Sequence, residues 1–269
     1  MALATRAINW GNGIDRDTIP SPHAVKQPAK PASSPINALP LRRVEEYPPN
    51  RMDRAAWPAT LAPVRRLLDD GLELGPMTIL VGDNGSGKST LVEAIAMAFG
   101  MNAEGGSTNA MTRTYPSESN LADHLQLVRG GGASRRGFFL RAETMHGLFT
   151  YLESIGDTGS FHQRSHGESF LDLVVARSEM HGLWILDEPE SALSLPGCLA
   201  LIGLLRDLIN GGSQVLLSTH SPVLAAYPDA DRYEIGEWGI RACEYDDLDL
   251  VRNWRAFLDA PERFLRHTT

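Results

Sequence analysis

The most informative part of the sequence is Gly82-Asp83-Asn84-Gly85-Ser86-Gly87-Lys88-Ser89-Thr90. It fits G-x-x-x-x-G-K-[ST], the pattern of a loop that wraps phosphate groups. The apolar run Met77–Val81 precedes it and predicts a buried strand, while Lys88–Phe99 follows with apolar residues at helical spacing. In that setting the backbone N–H groups and the helix N-terminus face the phosphates. We therefore predict that all nine residues of Gly82–Thr90 contribute to a nucleotide phosphate site.

A second stretch, Leu183-Trp184-Ile185-Leu186-Asp187-Glu188, is an apolar run that ends in two carboxylates. Such a run is typical of a central parallel strand. Behind a phosphate loop, Asp187 is placed to hold Mg²⁺ through water, and Glu188 to orient or deprotonate an attacking water. Lys88 is expected to reach the β- and γ-phosphates and Ser89 to ligate the metal.

Strands and helices alternate through the body of the chain, which predicts an α/β fold with a mostly parallel sheet covered on both faces. Residues 102–137 are rich in Gly, Ser, Asn and Arg and predict a long surface excursion. The further predicted strands are Leu39–Val44, Phe138–Leu140, Val215–Ser218 and a hairpin of Tyr233–Ile235 with Ile240–Cys243. The further predicted helices are Ser169–Met180, Pro196–Asn210, Asp247–Leu258 and Pro261–His267.

Residues 1–38 are punctuated by five prolines and carry few apolar residues between them. Proline removes a backbone donor and restricts helical geometry, so this segment is predicted to be a flexible, extended tail. Residues 39–269 are predicted to form one domain. The prolines are Pro20, Pro22, Pro28, Pro31 and Pro35.

The chain has 269 residues, 33 acidic and 25 basic, for a formal net charge of −8. Net charge therefore does not support a nucleic-acid partner, which would need a local basic patch. Five arginines do gather between residues 113 and 141. We interpret them as a solvated face offset by Glu118, Asp123 and Glu143, because no series of aromatic residues accompanies them. They are Arg113, Arg129, Arg135, Arg136 and Arg141.

Two cysteines are too few for a disulfide framework and favour a reducing compartment. No apolar run approaches the length of a membrane span. A cytoplasmic location is therefore expected, and a membrane partner is not.

Three motifs resemble those of ABC-class ATPases. Asp187-Glu188-Pro189-Glu190 with Ser191-Ala192-Leu193 resembles their Walker B motif, catalytic glutamate and D-loop. Leu217-Ser218-Thr219-His220 resembles their switch strand, whose histidine contacts the γ-phosphate. Arg164-Ser165-His166-Gly167-Glu168-Ser169 resembles a variant of their signature, with Ser165 and Gly167 in its Ser and second Gly positions. The spacings, 22 residues from Ser165 to Asp187 (187 − 165) and 33 from Asp187 to His220 (220 − 187), are close to those of an ABC core.

The resemblance covers about residues 39–265. Within the class, the chain is similar to compact, stand-alone bacterial ATPases of the SMC/ABC type within the AAA family, which share the runs Phe138–Glu143 and Glu262–His267. It implies a P-loop NTPase fold of the ABC type with a small antiparallel β excursion, and residues 39–269 would be the ATPase domain. It also implies ATP and Mg²⁺ as cofactors and an ATP-dependent homodimer in which the signature acts in trans. Glu188 and His220 would be catalytic, and Ser165, Gly167 and Ser191 would contact the nucleotide.

The chain departs from this pattern where the Q-loop glutamine is expected. Phe138-Phe139-Leu140-Arg141-Ala142-Glu143 stands there instead. Glu143 or Arg141 is expected to do its work, and we assign Glu143 as a metal ligand with Ser89 and Asp187. Only 22 residues (165 − 143) separate Glu143 from Ser165. This gap has no room for the helical subdomain of transporter ATPases or for a long coiled coil.

Two other functions remain open at this stage. A small-molecule kinase with a phosphate loop would need an acceptor pocket and a lid, but neither the signature nor His220. A nucleotide-sensing interaction module with little turnover would not need Glu188 as a base.

Overall fold

The computed structural model describes residues 39–103, 105–108, 119–142 and 166–266. By its internal contacts the chain divides between Ser33 and Ser34, and all the described residues fall in the unit Ser34–Thr269. Residues 1–38 lie outside the described residues, so the boundary of the tail stays a prediction.

The described elements alternate between strands and helices. The strands are β1 (Arg43–Glu46), β2 (Leu72–Glu73), β3 (Met77–Val81), β4 (Gly106–Ser107), β5 (Leu125–Val128), β6 (Gly137–Arg141), β7 (Leu183–Asp187), β8 (Gln214–Thr219), β9 (Asp231–Gly236) and β10 (Gly239–Ala242). The helices are α1 (Ala62–Asp70), α2 (Lys88–Phe99), α3 (His166–Ala176), α4 (Leu195–Asn210), α5 (Pro222–Ala225), α6 (Asp249–Asp259) and α7 (Pro261–Leu265).

The central sheet has seven strands in the order β10-β9-β3-β8-β7-β6-β4. The five inner strands are parallel, and β10 and β4 pair antiparallel at the two edges. The prediction of a mostly parallel sheet is therefore confirmed. Because β3, β7 and β8 are parallel neighbours, the residues that follow them emerge at one carboxyl edge, the usual ligand edge of such sheets.

Successive side chains of a strand point to opposite faces of the central sheet, so the core has two layers. Trp184 and Leu186 pack with α3, α4 and α5 on one face. Leu183 and Ile185 pack on the other face with α2, α1 and the small sheet. Asp187 follows Ile185 by two positions, so it faces the α2 side of the sheet.

A second sheet is antiparallel, three-stranded and ordered β2-β1-β5. It corrects the prediction that residues 102–137 are only a surface excursion, because Leu125–Val128 pairs with β1 and Gly106–Ser107 forms an edge of the central sheet. The predicted strand Leu39–Val44 lies at Arg43–Glu46. These pairings join segments far apart in sequence, which local patterns do not reveal.

Most helix boundaries follow the sequence signals. Helix α2 has its predicted bounds, and α4 begins after Ser194, whose Oγ accepts a hydrogen bond from the N–H of Gly197 at 3.4 Å. Helix α3 differs, because it begins at His166 and ends at Ala176 rather than spanning Ser169–Met180. Arg177–Met180 form turns instead, with i→i+3 hydrogen bonds such as Met180 N–H to the Arg177 carbonyl. In the described ranges, none of the helices is long and apolar enough to cross a membrane.

Candidate nucleotide-binding site

The phosphate loop joins β3 to α2 by a tight turn that only glycine fits at two positions. Gly87 is the N-cap of α2 with φ +96°, in the left-handed region. A Cβ on Gly82 would lie 2.5 Å from the carbonyl oxygen of Ile235 on β9. Both positions therefore exclude larger residues for a backbone reason. The strand, loop and helix predicted from the sequence are the ones observed.

Lys88 is held inside this loop with only 2% of its surface exposed. Its Nζ donates a hydrogen bond to the carbonyl oxygen of Asp83 at 2.9 Å. The same Nζ lies 3.2 Å from Oε1 of Glu188. The loop cation and the carboxylate at the end of β7 thus form an ion pair across the space between the two elements.

Asp187, at the end of β7, is the most buried carboxylate of the site, with 3% exposure. Its Oδ1 accepts a hydrogen bond from Ser218 on β8 and another from Oγ of Ser89 at 3.4 Å. Its Oδ2 lies 3.2 Å from Nε of Arg141. Burial raises the pKa of Asp187 and Glu188 adds to the rise, whereas Ser218, Arg141 and Ser89 oppose it.

Ser89 and Asp187 fit a magnesium site in their chemistry. They bring a hydroxyl and a carboxylate oxygen together, and both are hard oxygen donors. Mg²⁺ is commonly bound by one or two carboxylates with phosphates and waters supplying the rest. Glu143, the third predicted ligand, lies outside the described residues.

Glu188 has a backbone conformation that is uncommon for a side chain of its size. Its φ of 49° and ψ of 50° lie in the left-handed region, which costs about 1–3 kcal/mol where the surroundings impose it. Its N–H donates to the Ser218 carbonyl at 3.0 Å. This turn places the carboxylate between Lys88 and His220, whose Nδ1 is 3.7 Å from Oε2 of Glu188.

Glu190 is a site residue to which the sequence analysis gave no role. Its Oε1 accepts hydrogen bonds from the hydroxyl of Thr219 and the N–H of His220, both at 2.6 Å. Nδ1 of His220 lies 3.3 Å from the same oxygen. Glu190 therefore fixes the turn that carries His220. The available signal was a third acidic residue directly after Asp187-Glu188-Pro189.

Among the described residues of the loops that follow β3, β7 and β8, some buried polar atoms have no hydrogen-bond partner. They are Oγ of Ser86, Oε2 of Glu190 and Nδ1 of His220. Buried polar atoms are normally satisfied. Their grouping here indicates a site with room for further hydrogen bonds, such as those to a ligand.

The signature and the D-loop meet each other within the chain. A Cβ on Gly167 would lie 2.8 Å from the carbonyl oxygen of Ala192, and its nearest atoms all belong to Ala192 and Leu193. Ser191 is exposed beside them. The structure thus brings Gly167 to the D-loop and not to the phosphate loop. Ser165 lies outside the described residues.

Comparisons with known proteins point to one class. A family model described as an AAA domain matches residues 70–140. The hemin import ATP-binding protein HmuV of Agrobacterium fabrum is 28% identical over 193 residues, which cover 60% of this chain and 73% of that protein. The ATP-dependent permease PDR12 of Saccharomyces cerevisiae is 24% identical over 215 residues, covering 68% of this chain but only 14% of the permease.

Among solved structures, the SMC head domain from Thermotoga maritima has a TM-score of 0.40 and 16% identity, and the match covers 65% of this chain and 93% of that one. The matched family model, the ATP-binding relatives and the motifs assembled at the carboxyl edge support an ABC-type P-loop ATPase. The similarity to HmuV covers most of the length of that ATP-binding protein, whereas the chain spans only a small part of the permease.

Proposed function

We propose that the protein binds ATP with Mg²⁺ at Gly82–Thr90, hydrolyses it to ADP and phosphate, and pairs with a second copy while ATP is bound. One observation carries the proposal. The phosphate-loop lysine, a metal-binding pair, a carboxylate and a histidine converge at one edge of the sheet, within 2.9–3.7 Å of their neighbours. The residues are Lys88, Ser89, Asp187, Glu188 and His220.

Lys88 is ion-paired with Glu188, with Nζ 3.2 Å from Oε1. The phosphates of ATP compete for the Lys88 ammonium, because charge-assisted contacts to phosphate are strong. Once Lys88 turns to the β- and γ-phosphates, Glu188 loses its cation and is free to accept a proton. Mg²⁺, when bound, supplies charge neutralisation for the same phosphates.

The chemical step then uses Glu188 as a base. Glu188 takes a proton from water as the water oxygen forms a bond to the γ-phosphorus. The bond from that phosphorus to the β–γ bridging oxygen breaks, and its electron pair leaves with ADP. His220, held by Glu190, donates a hydrogen bond to a γ-phosphate oxygen, and the proton on Glu188 returns to solvent with the products.

Pairing of two copies would complete the site. Gly167 contacts its own D-loop, so a nucleotide could be capped by the signature of another copy rather than of its own. Helix α4, which follows the D-loop, exposes Leu195 and Leu199 one turn apart, at 60% and 45% exposure. Exposed apolar residues in register on one helix face are suited to an interface.

ATP hydrolysis and ATP-dependent pairing can be tested separately, by measuring phosphate release and the association state. Glu188→Gln keeps the shape of the side chain but removes the base, so phosphate release should fall about 10²–10⁴-fold while ATP still binds. The same protein with MgATP should accumulate as a dimer in light scattering. A variant that turns over within tenfold of wild type would contradict the assignment of Glu188.

Two substitutions in the Glu188→Gln background test the proposed interface, and a third serves as the control. Leu195→Arg and Ser165→Arg should return the protein to monomer with ATP still bound. Leu258→Arg alters an equally exposed leucine on α6 and should leave the dimer intact. If Glu188→Gln stays monomeric with ATP bound, the proposed pairing of two copies is wrong, and a nucleotide-sensing interaction module becomes the better explanation. Phosphate transferred to an added acceptor would favour the kinase.

The location and the partners belong to the same proposal. The two cysteines are free, with Cys198 buried and Cys243 partly buried, as suits a reducing compartment. We infer a cytoplasmic protein whose partner at the nucleotide site is its own second copy.

A further inference from the structure

Arg141 stands beside the metal-binding carboxylate without a role of its own in the proposed reaction. It is the last residue of β6, and it is the direct register partner of Asp187 on β7. Arg141 follows Phe139 and Asp187 follows Ile185 by two positions, so both side chains face the α2 side of the sheet. Parallel pairing thus places a cation next to the most buried acid of the site.

The guanidinium of Arg141 is held from two directions. Its Nε lies 3.2 Å from Oδ2 of Asp187, and its Nη1 donates to Oε2 of Glu93 at 2.9 Å. Glu93 lies on α2, four residues after Ser89, and therefore on the same helix face. Arg141 consequently ties the end of β7 to the helix that carries Ser89.

This arrangement divides the two oxygens of Asp187 between two tasks. Oδ2 faces the Arg141 guanidinium in an ion-pair contact of 3.2 Å, whereas Oδ1 accepts hydrogen bonds from Ser89 and Ser218. A planar guanidinium fixes orientation better than an ammonium does, because its donors have a rigid geometry.

We propose that Arg141 is a positioning residue for the metal, acting through Asp187. Its ion pair with Oδ2 of Asp187 holds Oδ1 toward Ser89, so that the metal meets a preformed pair of oxygens. The inference rests on the proposed function, since the metal is the one that accompanies ATP. Outer-shell residues of this kind typically change metal affinity about 10–100-fold when they are replaced.

Arg54 supplies a matched control. It also bridges two carboxylates, with Nη1 2.5 Å from Oε1 of Glu46 and Nη2 2.9 Å from Oδ1 of Asp69. Both arginines therefore lose a two-acid bridge when they become glutamine. Arg54 contacts neither Asp187 nor the phosphate loop in its described interactions.

The experiment titrates Mg²⁺ into the full chain at fixed ATP, starting from EDTA, and follows the melting temperature. In Arg141→Gln the Mg²⁺ concentration for half-maximal stabilisation should rise about 10–100-fold. Arg141→Lys keeps the positive charge but loses the planar guanidinium, so its Mg²⁺ midpoint should lie between those of wild type and Arg141→Gln. Arg54→Gln should lower the melting temperature of the nucleotide-free protein and leave the Mg²⁺ midpoint unchanged.

Each outcome decides between distinct failures. If Arg141→Gln lowers the melting temperature but keeps the wild-type Mg²⁺ midpoint, Arg141 is only structural and the inference is wrong. A midpoint that moves to lower Mg²⁺ also overturns it, because Arg141 would then compete with the metal. If the wild-type protein itself shows no Mg²⁺-dependent stabilisation by ATP, the proposed function fails, and this inference fails with it.

Discussion

The small antiparallel sheet with α1 and the carboxyl edge of the central sheet both contain arginine–carboxylate pairs, but they are built differently. In the small sheet, Arg43 bonds Glu45, Glu73 and the carbonyl of Asp70. Arg54, which precedes α1, reaches Glu46, Asp69 and the carbonyl of Met52. One buried atom next to this sheet, Nε of Arg42, has no hydrogen-bond partner among the described residues.

Among the described residues of the carboxyl edge, Ser86, Glu190 and His220 each have a buried polar atom without a hydrogen-bond partner, and the carboxylate of Asp187 is buried. The two regions shift the pKa of a carboxyl in opposite directions. Arg54 lowers the pKa of Glu46, whereas burial raises the pKa of Asp187. Arg43 and Arg54 find their hydrogen-bond partners within the small sheet, α1 and the segment between them. At the carboxyl edge, the described residues leave polar atoms of Ser86, Glu190 and His220 available for further hydrogen bonds.

The largest effect should come from the cation of the carboxyl edge. Lys88→Ala removes the ammonium aimed at the phosphates, and a hydrogen bond to a charged group contributes about 1.5–3 kcal/mol. ATP affinity in isothermal titration should therefore fall by roughly 10–150-fold. Arg43→Ala, which breaks the bridge of the small sheet, is the control and should keep wild-type affinity. Unchanged binding by Lys88→Ala would refute the phosphate-loop assignment.

An intermediate effect is expected at Glu190. Glu190→Ala removes the oxygen Oε1 that accepts from both Thr219 and His220, so turnover should fall about tenfold, the equivalent of one such hydrogen bond. Glu190→Gln keeps an acceptor oxygen and should stay within a few-fold of wild type. If Glu190 acts through His220, adding His220→Ala to Glu190→Ala should cost less than His220→Ala costs alone. Additive losses in phosphate release would show that the two residues act independently.

The smallest effect is a difference in the pH dependence of stability. Glu46 has a lowered pKa, so its contribution is present above its ordinary value of 4.5 and is lost as pH falls through the folded-state value. The stability gap between wild type and Glu46→Gln should therefore be widest at pH 7 and shrink in acid. Urea unfolding at pH 7 and about pH 4 measures it.

Asp187 should show the opposite sign in the nucleotide-free protein. Its raised pKa makes a contribution that is full below the ordinary value of 3.8 and is lost as pH rises through the folded-state value. Asp187→Asn should thus gain stability relative to wild type on going from acid to pH 7. If the stability of both variants relative to wild type changed with pH in the same way, the proposed difference between the two regions would be wrong.

The sequence alone predicted the elements that depend on local pattern. The bounds of α2, the strand before it and the cap of α4 at Ser194 follow from apolar spacing and from residues that end or begin a helix. The phosphate loop was predictable for the same reason, because its chemistry lies in nine consecutive residues. The motif around Asp187 and Glu188 was equally local.

The contacts between distant segments became visible in the folded chain and not in the sequence. The strand β5 pairs with β1 across about 80 residues, a distance over which no periodicity carries information. Helix α1 is a local element, and it was also not predicted. Glu190 reaches the turn of His220 from 30 residues away. Arg141 meets Asp187 and Glu93 only because β6, β7 and α2 pack together. Sequence fixes which groups are available, but parallel strand pairing and helix packing determine which charges become neighbours, since those forces act between surfaces and not along the chain.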